Sequence, residues 1–139
     1  MHNVFVYGTL KRGQPNHDAI ATFAEFVGVF QTRDPFPLVV GGQWFSPYLI
    51  DEPGEGQLVR GEVFSVNSEG LEQMDVLEGT HVPGGYRRAR IDVECPQHRL
   101  VAWTYFKDRA AIDGIASDPM DQYLLDTRYV IPSNRPKVF

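Results

Sequence analysis

From Arg88 to Cys95 the chain alternates strictly between charged and apolar residues. Arg88, Arg90, Asp92 and Glu94 fall on one side, and Ala89, Ile91, Val93 and Cys95 on the other. A period of two belongs to an extended strand and not to a helix, so residues 86–95 are predicted to form a strand with one wet face and one buried face. Pro96-Gln97-His98 then turns the chain into a second apolar run at residues 100–106, which completes a hairpin.

Strands dominate elsewhere too. Val4-Phe5-Val6-Tyr7 is a β-branched and aromatic run that stops at Gly8, and residues 25–32, 38–40, 44–50 and 58–66 read as extended. Pro35 and Pro37 separate two of these runs, because proline cannot donate to the middle of a sheet. Gly61 inside the 58–66 run predicts a bulge or a close backbone approach. The one convincing helix covers residues 68–77, with Asn67 or Ser68 as N-cap and Gly79 placed to end it. Asn16 is expected to cap a short helix reaching Phe23, and Arg128 to Ile131 a short strand in an otherwise poorly patterned tail. Many strands with one or two helices predict an α+β fold, a small curled sheet or partial barrel with the helices packed outside.

The chain has 139 residues and 42% hydrophobic side chains, which is enough for one core, and no linker or repeat divides it; a single domain over 1–139 is expected. Thirteen Lys and Arg against eighteen Asp and Glu give a net charge of -5, which argues against a nucleic-acid partner. Cys95 is the single cysteine, so no internal disulfide or cysteine metal cluster is possible. No apolar run is long enough to cross a membrane, and the first residues lack the pattern of a secretory signal; a cytoplasmic protein is expected.

The most informative anomaly lies in the helix. Leu71 and Met74 mark its core face, and at about 100° per residue Glu78 falls within roughly 20° of Leu71. A carboxylate therefore stands where the pattern asks for an apolar side chain, at the end where the helix dipole opposes its charge. Burial and the dipole would both raise its pKa towards the range useful for proton transfer; fraying at Gly79 would instead release it into solvent. Asp75, one turn earlier, either raises the pKa of Glu78 further or caps a neighbouring loop.

The turn Tyr7-Gly8-Thr9-Leu10 is the second candidate. Successive N–H groups after a sharp turn at Gly8 suit a bound carboxylate or phosphate, but Gly-Lys-Ser/Thr is missing, so it is not a P-loop. Cys95-x-x-His98 lacks a second ligand pair for zinc, and no Gly-x-Ser-x-Gly elbow exists. Trp44, Phe45, Tyr48, Trp103 and Tyr105 read as core or pocket wall.

The opening from Val4 to His17, with Tyr7-Gly8-Thr9-Leu10 at its centre, resembles the γ-glutamylcyclotransferase-like superfamily, and within it the γ-glutamylamine cyclotransferase (AIG2-like) branch. The likeness continues through Pro35 to Val40, Gly61-Glu62-Val63-Phe64, Met74 to Glu78, Tyr86-Arg87-Arg88 and Arg128-Tyr129. The resemblance implies a small mixed β-barrel with helices alongside. It implies an enzyme in which the α-amine of a γ-glutamyl group attacks its own side-chain carbonyl, releasing 5-oxoproline and an amine. Glu78 takes the place of the family's proton-transfer acid, and Tyr7, Gly8, Thr9 and Leu10 that of its substrate-binding loop. Tyr86 either lines the same pocket or belongs to the core, and Tyr123 or Arg128 would close one side. No cofactor or metal is implied. The expected partner is a small γ-glutamyl compound, foremost γ-glutamyl-ε-lysine; γ-glutamyl amino acids, or a non-catalytic binding module of the same fold, are the alternatives.

Overall fold

The predicted hairpin is the longest pairing in the molecule. In the computed structural model, which describes residues 1–136, β6 (Arg87–Cys95) and β7 (His98–Phe106) run antiparallel from Arg87 opposite Phe106 to Cys95 opposite His98. The other strands are β1 (His2–Val6), β2 (Glu25–Thr32), β3 (Leu38–Gly41), β4 (Ser46–Leu49) and β5 (Arg60–Val66). The sheet order is β1-β5-β2-β6-β7-β4-β3, and an added parallel pairing of β1 with β7 at Val4 and Trp103 closes a barrel. One parallel contact among antiparallel ones makes the barrel mixed. The β3–β4 hairpin extends from its rim, where Leu49 pairs with Phe106.

The side-chain alternation along β1 explains the unbroken apolar run Val4 to Tyr7. Phe5 and Tyr7 point into the barrel with Val63, Ile91, Val93, Ala102 and Phe106. Val4 and Val6 face outward, where they join Phe64, Val66 and Tyr105 beneath the helix. From Val4 onward both faces are covered, so the polar positions of the strand are confined to its half-buried start, His2 and Asn3. Gly61 lies where β5 meets β1: a Cβ there would sit 2.5 Å from the Val6 carbonyl oxygen and 2.6 Å from Phe5 Cζ. Close approach is thus the reason for this glycine, and the register shift falls instead in β2, between Phe26 and Gly28.

Helix α1 spans Ser68–Glu78. The Asn67 side chain accepts from the Gly70 N–H at 2.8 Å, and Gly79 ends the helix in the left-handed region at φ 66°. Leu71 and Met74 are buried against the outer face of β1 and β5.

Two expectations are corrected. The Asn16–Phe23 helix shrinks to one 3-10 turn, His17–Ala19, and Asn16 makes no capping bond. Its amide donates instead to Thr9 Oγ1 and Tyr129 Oη, and so short a helix has little to hold it without a cap. Residues 128–131 form no strand, because Asp126 organises a turn: its carboxylate accepts from the Arg128 N–H at 2.9 Å and its carbonyl from the Tyr129 N–H at 3.0 Å. No helix among the described residues is long and apolar enough to cross a membrane.

Candidate active site

The helix stripe that buries Leu71 and Met74 carries Glu78 into the lining of a cavity of about 510 Å³ between α1, the end of β1 and the β3–β4 hairpin. Tyr7, Gly8, Thr9, Leu10, Glu78 and Tyr86 all line this one space. The cavity also takes in Trp44 and Tyr48, which the sequence marked as core or pocket wall, Tyr129 from the Arg128-Tyr129 match, and Lys107 and Arg135, which carried no sequence signal.

The loop after β1 is held from outside. The carbonyls of Gly8, Thr9 and Leu10 accept from Lys11 N–H (3.2 Å), Asn16 N–H (2.9 Å) and His17 Nδ1 (2.8 Å). The N–H groups of Gly8, Thr9 and Leu10 donate to no acceptor among the described residues. Such a run of unpaired amide donors beside a cavity is a ready anion-binding site. Gly8 is required by packing, since a Cβ would lie 2.6 Å from Pro47 Cγ. Tyr7 anchors the loop by donating its buried hydroxyl to the Tyr105 carbonyl at 2.6 Å.

Glu78 makes no ion pair or side-chain hydrogen bond among the described residues. Burial raises its carboxyl to about 7, and the nearby Lys107 ammonium opposes that rise. Burial in turn lowers the pKa of Lys107 while Glu78 raises it. Lys107 donates to the Gly84 carbonyl, and its ammonium lies 5.1 Å from the ring centre of Tyr86 and 5.5 Å from that of Tyr48. Tyr86 is brought beside the acid by its own N–H, which donates to the Glu78 carbonyl at 3.1 Å, while its hydroxyl donates to the Pro47 carbonyl at 3.3 Å.

Asp75 does not act on Glu78. It bonds Arg88 Nε at 2.9 Å and accepts the Tyr105 hydroxyl at 2.7 Å, which pins α1 to the barrel. Tyr123 and Arg128 do not close the pocket either. Tyr123 is buried in the core, and Arg128 pairs with Asp126 at 2.8 Å and stacks on Phe45. That wall is formed by Tyr129, Pro132 and Arg135. No group of three or more His, Cys, Asp or Glu side chains that could hold a metal occurs among the described residues.

Residues 4–125 match the family model described as gamma-glutamyl cyclotransferase, AIG2-like. The chain belongs to this family. Among curated proteins, this AIG2-like chain is 42% identical over 97 residues to gamma-glutamylaminecyclotransferase C of Danio rerio, covering 67% of this chain and 62% of that protein. It is 41% identical over 100 residues to gamma-glutamylaminecyclotransferase of Homo sapiens, covering 69% of this chain and 64% of that protein. The aligned segment thus spans less than two thirds of either relative. In three dimensions the AIG2-like chain superposes on the crystal structure of an AIG2-like protein from Mus musculus with a TM-score of 0.83 and 30% identity, covering 97% of this chain and 99% of that one. The mixed barrel with one outer helix is the fold of that neighbour.

Proposed function

We propose that the chain acts as one domain, a γ-glutamylamine cyclotransferase with Glu78 as its proton-transfer residue. The observation that carries this reading is the unpaired Glu78 carboxylate in the same cavity as the unpaired amides of Gly8, Thr9 and Leu10. The names of the relatives from Danio rerio and Homo sapiens support the substrate class.

The reaction is intramolecular, so holding the γ-glutamyl chain folded places its α-nitrogen against its own γ-carbonyl carbon. The α-ammonium first gives a proton to the Glu78 carboxylate, and the amine then attacks to form the new C–N bond. A second proton leaves the ring nitrogen as the tetrahedral intermediate collapses and the old C–N bond breaks. The departing nitrogen receives both protons and leaves as an ammonium, and the lactam keeps one N–H. A carboxyl with a pKa of about 7 is partly ionised at neutral pH and can both accept and return these protons. The amides of the Gly8–Leu10 loop and the Lys107 ammonium are the donors for the substrate α-carboxylate and the oxyanion. Tyr86 and Tyr48 form the wall beside them. The single unpaired cysteine, Cys95, suits a reducing compartment such as the cytoplasm.

The test is detection of 5-oxoproline after incubation with γ-glutamyl-ε-lysine, for wild type beside Glu78→Gln. Release by wild type and a fall of about 10³-fold or more in the variant is the expected result. Absence of 5-oxoproline from the wild type across a panel of γ-glutamyl amines and γ-glutamyl amino acids would overturn the proposal.

A further inference from the structure

The tail beyond residue 125 lies outside the segment matched by the family model, yet it supplies one wall of the cavity. Its polar groups are arranged as donors. Tyr129 Oη accepts from the Asn16 amide at 2.7 Å and from Arg135 Nη2 at 3.3 Å. A hydroxyl has two acceptor positions, so both are used and its own hydrogen is left to donate. Arg135 is fixed at one edge, where Nε donates to the Val130 carbonyl at 3.0 Å, and its guanidinium lies 5.6 Å from the Trp44 ring centre. The Nη1 hydrogens have no acceptor, and the guanidinium has no carboxylate partner among the described residues. A held guanidinium with no carboxylate partner among the described residues, beside a spare hydroxyl donor, matches a carboxylate in both charge and hydrogen bonding.

A γ-glutamyl amine with an amino acid as leaving group offers two carboxylates. The glutamyl end is the same in every substrate of the reaction, and the cyclotransferase reading assigns it to Glu78, Lys107 and the Gly8–Leu10 amides, which line the cavity. The leaving amine is the part that varies, and Arg135 and Tyr129 stand on the wall built by the tail. We infer that Arg135 and Tyr129 form a subsite for a carboxylate on the leaving amine, so that the chain favours γ-glutamyl compounds releasing an amino acid over those releasing a simple amine. This rests on the cyclotransferase reading above.

The experiment compares γ-glutamyl-ε-lysine with γ-glutamyl-cadaverine, which differs by lack of the leaving-group carboxylate. Wild type is expected to prefer the lysine compound in kcat/KM, and Arg135→Gln to reduce that preference by about 10–100-fold, mainly through KM. Arg135→Lys, which keeps the charge but not the planar fork, restores part of it. Tyr129→Phe, a milder change, moves the ratio in the same direction. Product inhibition separates the two ends: Arg135→Gln weakens inhibition by lysine more than inhibition by 5-oxoproline. An unaltered substrate ratio in Arg135→Gln, or a weakened inhibition by 5-oxoproline alone, would overturn the subsite. Calorimetric binding of both compounds to Glu78→Gln, with and without Arg135→Gln, reads the subsite without turnover. A carboxylate preference there that depends on Arg135, together with no 5-oxoproline released by the wild type, would sink the cyclotransferase reading and keep the subsite. No such preference would sink the subsite alone.

Discussion

Glu78 and Lys107 sense each other's charge across the cavity without forming an ion pair. Each shifts the other's proton affinity, yet neither takes part in a salt bridge among the described residues. A contact pair would have held Glu78 ionised, well below neutrality. Separation leaves burial as the larger effect, and the acid stays near the pH at which it can both take and return a proton.

Glu78→Gln is expected to abolish turnover and to stabilise the protein at neutral and higher pH. The folded pKa of about 7 lies above the ordinary 4.5, so the folded state binds the proton more tightly than the unfolded chain. That contribution is fully present below about pH 4.5 and is lost as pH rises through about 7. At pH 8 the variant should therefore exceed wild type by about 1–3 kcal/mol, and the two should converge near pH 4. Urea denaturation of both proteins at the two pH values checks this; equal stability at pH 8 would contradict a desolvated carboxylate.

The pH profile of kcat/KM should rise through about 7 as Glu78 ionises. Lys107→Met removes the positive charge that lowers this pKa, so the rising limb should move to higher pH. A limb that stays in place in the variant would show that the two groups do not interact.

Asp75→Ala should act on stability in the opposite direction to Glu78→Gln, although both acids lie within one helical turn. It strips Arg88 and the Tyr105 hydroxyl of their shared partner and leaves α1 held by the packing of Leu71 and Met74. A loss of about 1–3 kcal/mol is expected by thermal or urea unfolding. A neutral effect would mean that this network does not anchor the helix.

Gly8→Ala should displace the loop amides, because the added methyl meets Pro47 Cγ at 2.6 Å and a proline ring cannot rotate away. Overpacking of this kind costs about 1–3 kcal/mol, and a loop shift of even a fraction of an ångström should lower kcat/KM by about 10-fold or more. Steady-state kinetics beside an unfolding curve separates the two effects.

Where local periodicity carried the information, sequence and structure agree. The alternation at residues 88–95 became β6, with Ile91 and Val93 buried and Arg90 and Asp92 exposed, and Asn67 and Gly79 bound α1 because caps depend on neighbouring backbone alone. Glu78 was visible as a charge on an apolar stripe, which needs nothing beyond the helical repeat. Asp75 lies one turn away and reads the same from its neighbours, but its partners Arg88 and Tyr105 come from strands after the helix. Lys107 follows an apolar strand, where a lysine ordinarily marks the return to solvent, and nothing local says that Tyr48 and Tyr86 will flank it. The expected strand at 128–131 failed for a related reason: side-chain bonds from Asp126 outweighed a weak extended preference.

The amino-acid sequence by itself determined the strands, the one capped helix, the acid on its buried stripe and the glycine turn after β1. Each follows from residues within a few positions of one another. The tertiary structure alone decided that β1 would close against β7, that Asp75 would be occupied and Glu78 left unpaired, and that Tyr129 and Arg135 would wall the cavity. Periodicity states which face of an element is buried. What covers that face is set by long-range packing, and there the proton affinity of Glu78 and the donors that face it were established.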